Sequence, residues 1–168
     1  GKIETVNQPL LCMLRDSGYM PVVAPLAISH EGDAVNVDAD RAAAIDVQQA
    51  YGTSDTAVRP AVAAARSAGK NLYFSAGTYR YDGFLILDGV SAFGDGASTV
   101  LEAGDPSGSA VILRGENVSL RALKITAPGA SKRVGPFNSS GVYVDHARGF
   151  IVQGVTVSRV ESAGMVVL

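Results

Sequence analysis

The sequence has no tryptophan, one cysteine and few charges, and each scarcity removes a class of explanation. A single cysteine, Cys12, excludes an internal disulfide and a cysteine-rich zinc site. Flanked by Leu11 and Met13 in an apolar run, it is expected to be a buried structural thiol. Lysine and arginine number 14 against 16 aspartates and glutamates, a net charge of −2. With no basic run among them, a nucleic-acid partner is not expected. No apolar stretch approaches the ~20 residues of a membrane-spanning helix, so no membrane partner is expected either. His30 and His146 have no neighbours at metal-ligand spacing, and no metal is expected. Gly94 and Gly96 lack the third glycine of a dinucleotide loop, Thr99 standing in its place.

What is present is apolar and turn-rich: 47% hydrophobic residues and 19 glycines. That composition suits a β-rich fold and argues against disorder. The strongest internal signal is repetition. Gly141-Val142-Tyr143-Val144 returns 23 residues later as Gly164-Met165-Val166-Val167. Upstream, Ala110–Leu113, Val118–Leu120 and Leu123–Ile125 mirror Val142–Val144, Phe150–Val152 and Val155–Val157, with an insertion from Pro128 to Ser140. Short β-rich runs between Gly, Asn, Asp or Arg corners predict one turn of a parallel β-solenoid per repeat. Earlier runs at 71–74, 78–81, 84–87, 90–93 and 99–101 continue the pattern. Thr56 to Ala68 is predicted to be an amphipathic helix covering an open end, with Val58, Ala61, Val62 and Ala65 on one face, Pro60 in its first turn and Gly69 as its stop.

Residues before about Ile45 follow a different pattern. Asn7 can cap a helix from Gln8 to about Ser17 that stops at Gly18. Tyr19 to Ile28 is an apolar run interrupted by Pro21 and Pro25, expected to be an edge or irregular strand. His30–Asp33 is expected to turn, Val35–Val37 to be extended, and Asp38–Ala44 to begin a helix with carboxylates at its N-terminus. This order belongs to a partial α/β segment. Two domains follow: 1–44, and 45–168. The chain lacks an initiator Met and stops inside the expected strand Gly164–Leu168, so both ends are expected to be cut.

Both segments carry a resemblance. Gly1–Glu4, Val6-Asn7, Leu10-Leu11, Gly18–Pro25, Glu31-Gly32 and Asn36–Ala44 resemble the amino-acid kinase family, its acetylglutamate kinase and carrier-protein-linked aminoadipate kinase branches in particular. The resemblance implies that Asn36 holds the carboxylate-bearing end of the substrate and that Asp40 orients lysines around the transferring phosphoryl group. Asp38, where many acetylglutamate kinases have Asn, leans toward the aminoadipate branch. Phosphoryl transfer needs positioned cations and a phosphate-cradling loop. The glycine-rich loops and catalytic lysines of the family are not in this sequence, so ATP and Mg are expected only of a complete version of the segment. Asp38 and Asp40 then also fit plain helix-start carboxylates, and no cofactor is expected of the chain itself. From Ile45 onward, Ser54–Ala57, the alanine-rich helix, Gly69–Phe74, Ala76–Tyr79 and Gly94-Asp95-Gly96 with Ser98-Thr99 resemble the opening coils of pectate-lyase-type proteins. Ser75 stands where that pattern has Pro. This resemblance implies a mainly β fold, a right-handed parallel β-helix with an N-terminal capping helix.

Lyase chemistry on acidic sugars needs a base and a cation, and glycoside hydrolysis a carboxylate pair. The candidates are Asp145 and His146 as catalytic groups, with Lys132, Arg133, Arg148 and Arg159 as substrate-binding cations. Arg159 and Glu161 are expected at a comparable corner one coil later. The same residues also fit solvated corners without chemistry. Three functions remain open: a carbohydrate-directed protein acting on an acidic or neutral polysaccharide (lyase, hydrolase or epimerase), inactive as it stands; a remnant of a kinase for acidic amino acids; and a non-catalytic tail-fibre or adhesin coil. The first and third point to the cell surface or outside, the second to the cytoplasm. An apolar edge at Leu168 invites self-association.

Overall fold

A computed structural model describes residues 7–19, 26–28, 34–36, 39–54, 56–104, 108–127 and 139–168. The chain divides into two compact units, Gly1–Ala43 and Ala44–Leu168.

In the first unit, α1 spans Gln8–Asp16 and begins where Asn7 accepts the amide of Leu10 at 3.1 Å, satisfying one of the free donors of the first turn. Its end is closed by the amides of Ser17 and Gly18, which donate to Met13 and Arg15. Gly18 has φ +81°, a conformation that costs glycine little. Strands β1 (Leu26–Ile28) and β2 (Ala34–Asn36) pair antiparallel, Leu26 opposite Asn36. Helix α2 follows at Ala39–Ala43. The predicted strand from Tyr19 is therefore seen only at its last three residues; the stretch before Leu26 and the turn at His30–Asp33 lie outside the described residues. Neither helix of this unit buries a residue.

The second unit opens with β3 (Ile45–Asp46), α3 (Val47–Tyr51) and α4 (Val58–Ala68). Asp46 caps α3 by accepting the amide of Gln49, and Gly69, at φ +61°, terminates α4 as a left-handed cap. Strands β4 (Leu72–Phe74), β5 (Gly77–Tyr81), β6 (Leu85–Asp88), β7 (Ala92–Gly94), a 3-10 turn (Gly96–Ser98), β8 (Thr99–Ala103), β9 (Val111–Arg114), β10 (Ser119–Thr126), β11 (Val142–Val144), β12 (Ile151–Ser158) and β13 (Met165–Val167) follow. All pairings in this unit are parallel. One sheet runs β3-β4-β7-β10-β8-β5, with β12 paired to β10; the other runs β13-β11-β9-β6. Val142 lies beside both Val111 and Met165, so the repeated runs found in the sequence do align as neighbours.

The fold class nevertheless differs from the mainly β, right-handed solenoid expected of residues 45–168. The unit is an α/β arrangement of parallel sheets with helices. Val47 of α3 and Val58, Ala61 and Ala65 of α4 belong to the same buried core as Leu72, Phe74, Leu87, Leu101, Leu113, Leu120, Ile125 and Val144. The helices thus build the core alongside the strands, where a mere covering helix was expected. The three separate ladders implied by three runs per repeat are also absent among the described residues. The runs at 118–120 and 123–125 are one strand, β10, because a single residue, Ala122 at φ +49°, turns the chain without ending the strand. Gly154, at φ +62°, does the same in β12, and pairing resumes on both sides of the bend, Arg121 with Gln153 and Leu123 with Val155. Strand β10 therefore belongs to the β7 ladder at one end and to the β8 ladder at the other, which fuses them into one sheet.

Several buried polar side chains of the core are paired. Tyr81 is 1% exposed and donates its hydroxyl to the carbonyl of Ala110 at 3.0 Å; burial pushes its pKa well up. Thr99 donates to the carbonyl of Phe74, and Ser109 meets Ser140 at 3.2 Å. Among the described residues no helix is long and apolar enough to cross a membrane.

Candidate functional site

The densest set of polar side chains proposed from sequence lies at the end of β11. Pairing of β9 with β11 brings Arg114 and Asp145 together just beyond the last rung, Leu113 beside Val144. Arg114 Nε donates to Asp145 Oδ2 at 2.6 Å, while His146 Nδ1 lies 2.7 Å from Oδ1. With both oxygens engaged, the Asp145 carboxyl is held below its ordinary range, by the His146 hydrogen bond first and then by Arg114. An ionised Asp145 accepts a hydrogen bond from Nδ1, so in the neutral imidazole Nε2 is the acceptor. The His146 side chain is 83% exposed, so that acceptor faces water. His146 also sits at φ +55°, a backbone region uncommon for a residue with a Cβ.

One strand further back, Asp88 pairs in register with Arg114 but gives its carboxylate to Arg66 at 2.8 Å. The corner is therefore a short column of ion pairs, Arg66 with Asp88 and Arg114 with Asp145. Asp145 cannot serve as an unengaged base here, because both its oxygens already accept hydrogen bonds. What the arrangement does offer is an oriented imidazole on a surface corner. Among the described residues no group of three His, Cys, Asp or Glu side chains is placed to hold a metal.

The other candidates scatter. Arg148 is exposed, and its backbone bridges to Glu116, the Arg148 amide donating to Gly115 at 2.9 Å. Arg159 does not sit at a corner stacked on Asp145, contrary to the expectation from sequence. It follows Ser158, which pairs with Thr126, whereas the residues after Val144 lie beside the end of β13, the His146 amide donating to Leu168. Arg159 and Glu161 are both exposed. Lys132 and Arg133 lie outside the described residues. In the first unit, Asn36 closes β2 and Asp40 stands in the first turn of α2, on an exposed position. The two residues are four positions apart in sequence. Cys12 is half-buried, not buried as expected from its apolar neighbours, because α1 buries no residue.

Sequence reasoning missed Arg114. Its signal was the 31-residue offset that carries Val111 onto Val142, which also carries Arg114 onto Asp145.

Comparison with known proteins finds matches over short lengths of the chain. The chain is 47% identical over 45 residues to the LysW-aminoadipate kinase of Thermus thermophilus, covering 27% of this chain and 17% of the relative. It is 52% identical over 44 residues to a putative LysW-aminoadipate/LysW-glutamate kinase of Nitrosopumilus maritimus, 26% of this chain and 16% of the relative. It is 44% identical over 57 residues to the acetylglutamate kinase of Geobacillus kaustophilus, 34% of this chain and 22% of the relative. Part of this chain is similar to amino-acid kinases. It spans no more than 22% of the length of these curated relatives. No family model and no solved structure matches it. The resemblance of residues 45–168 to pectate-lyase-type proteins therefore finds no support, and neither does the carbohydrate reading built on it.

Proposed function

We propose that the first unit is a remnant of a kinase that phosphorylates the carboxylate of an acidic amino acid, of the acetylglutamate or aminoadipate type. The observation that carries this reading is the identity of 47–52% over 44–45 residues to two aminoadipate-type kinases, a length close to that of the unit Gly1–Ala43. On this reading Asn36, at the end of β2, donates its amide to the substrate carboxylate. Asp40, at the start of α2, orients cations around the phosphoryl group. The remnant recognises the acid and does not turn it over. Transfer of a phosphoryl group is almost entirely positioning and charge neutralisation, and the glycine-rich loop and lysines that do this in the family are not in the sequence. The reading places the chain in the cytoplasm.

Calorimetric titration of the full chain with N-acetylglutamate, aminoadipate and MgATP tests it. Heat of binding with an acidic amino acid, weakened about tenfold by Asn36→Ala (about 1.4 kcal/mol), is the expected result. ADP release should stay at the blank rate. No heat with any of the three ligands would refute the reading, and so would binding that Asn36→Ala leaves unchanged.

A further inference from the structure

Among its described residues, the second unit holds one charged side-chain atom that its own fold leaves unsatisfied. Among the described residues, Arg121 Nε is the buried side-chain nitrogen or oxygen with no hydrogen-bond partner. Arg121 as a whole is only half-buried, so part of the side chain other than Nε is open to the surface. A donor on a charged group shut away from water without an acceptor is costly, and native structures rarely keep one without a use.

Its surroundings explain why no acceptor is at hand. Arg121 alternates with the buried Leu120 and precedes the left-handed bend at Ala122; beyond the bend Leu123 is buried and Lys124 is half-exposed. Arg121 and Lys124 therefore stand on the same outer side of β10, one on each arm of the bend. The residues beside Arg121 in the sheet are Phe93 and Gln153, and those beside Lys124 are Val100 and Thr156. None carries a negative charge. The acids of the neighbouring strands are engaged elsewhere: Asp95 accepts from the Tyr73 hydroxyl at 2.6 Å and the Ala76 amide at 3.1 Å, and Glu102 pairs with Arg80 at 2.7 Å. The 3-10 turn Gly96–Ser98 packs against both β10 and β12, giving this corner a wall. In a chain of net charge −2, two adjacent cations without a carboxylate on either flank are a local positive site.

We propose that Arg121 and Lys124, astride the bend of β10, bind a small oxyanion, the carboxylate or phosphate group of a ligand. Arg121 supplies a planar fork of donors suited to two oxygens at once, and Lys124 adds a point charge. Gln153 and Thr156, both exposed one strand along, offer neutral donors at the rim. The site lies wholly in the second unit and is independent of the kinase reading of the first.

The test follows the Arg121 Nε–H signal by 15N NMR in the full chain. Inorganic phosphate and acetate are titrated separately at constant ionic strength, with chloride as the control. Saturable shifts of that signal with phosphate, acetate or both, absent with chloride, are expected, and the better probe names the ligand's anionic group. Lys124→Gln, on a half-exposed position that leaves the core intact, should weaken binding about three- to tenfold. Arg121→Lys, followed through the Gln153 amide, should weaken it at least as much. A linear response to both probes, matching that of Arg59 and Arg66 on the surface, would overturn the proposal. Saturable binding untouched by both variants would overturn it as well.

Discussion

Gly154→Ala probes the bend on which the fused sheet depends. Gly154 has φ +62°, and a Cβ added there meets only Ala122 Cα and N, both at 3.7 Å, an ordinary contact. The substitution therefore introduces backbone strain without a clash. Holding an L-residue in the left-handed region costs about 1–2 kcal/mol. Against this, alanine restricts the unfolded chain and recovers about 0.4–1 kcal/mol. The net expected loss is about 0.8 kcal/mol, taking the middle of each range. For a urea slope of about 2 kcal/mol/M, the unfolding midpoint of the second unit falls by about 0.4 M. Ala122→Gly, which relieves φ +49° at the neighbouring bend, should move the midpoint upward by a similar amount. Urea titration of the full chain by far-UV circular dichroism measures both. A Gly154→Ala midpoint that is unchanged or higher would refute the left-handed bend and, with it, the continuity of β10 and β12.

Three further outcomes are expected. A Cβ at Gly141 would overlap Val157 Cγ1 and stand 2.8 Å from the Gly164 carbonyl, so Gly141→Ala should cost roughly 1–3 kcal/mol; a wild-type melting temperature would show that β11 and β12 do not approach this closely. Asp145 titrates below its ordinary value of 3.8, so its contribution to stability is fully present above that pH and is lost as pH falls through the lower folded value. His146→Ala, which removes the larger cause, should move its 13C carboxyl titration back toward 3.8, and an unshifted curve in the wild type would contradict the Arg114–Asp145–His146 geometry. Limited proteolysis should cut within the first unit, whose helices bury no residue, while residues from about Ile45 onward survive; early cleavage in β10 or β11 would contradict the packing described.

Local chemistry was legible in the sequence wherever one residue decides the outcome. Asn7 caps α1 and Gly69 stops α4, as their side chains or lack of one dictate. The repeat from Gly141 to Gly164 foretold the neighbours of Val142. What could not be seen depended on conformations that residue type does not announce. Alanine is a poor marker of a left-handed bend, so Ala122 hid the continuity of β10 and two runs were counted for one strand. The insertion after β10 disguised the 31-residue offset that sets Arg114 on Asp145. Five-residue α3 is too short to show a helical period, though Asp46 was a readable cap. With α3 unseen and α4 treated as a cover, the helical share of the core was missed and the fold class was set too far toward β. Arg159 was grouped with Asp145 because both stand at corners, and corners of different strands do not stack.

The central claim is that the first unit retains an acidic amino-acid site of kinase type, separate from the parallel sheets that follow. An amide NMR titration of the full chain with aminoadipate tests it most directly. The account predicts saturable shifts clustered around Asn36 and Asp40, with the amides of β4 to β13 unmoved. Shifts confined to the second unit, or none at all at millimolar ligand, would contradict it.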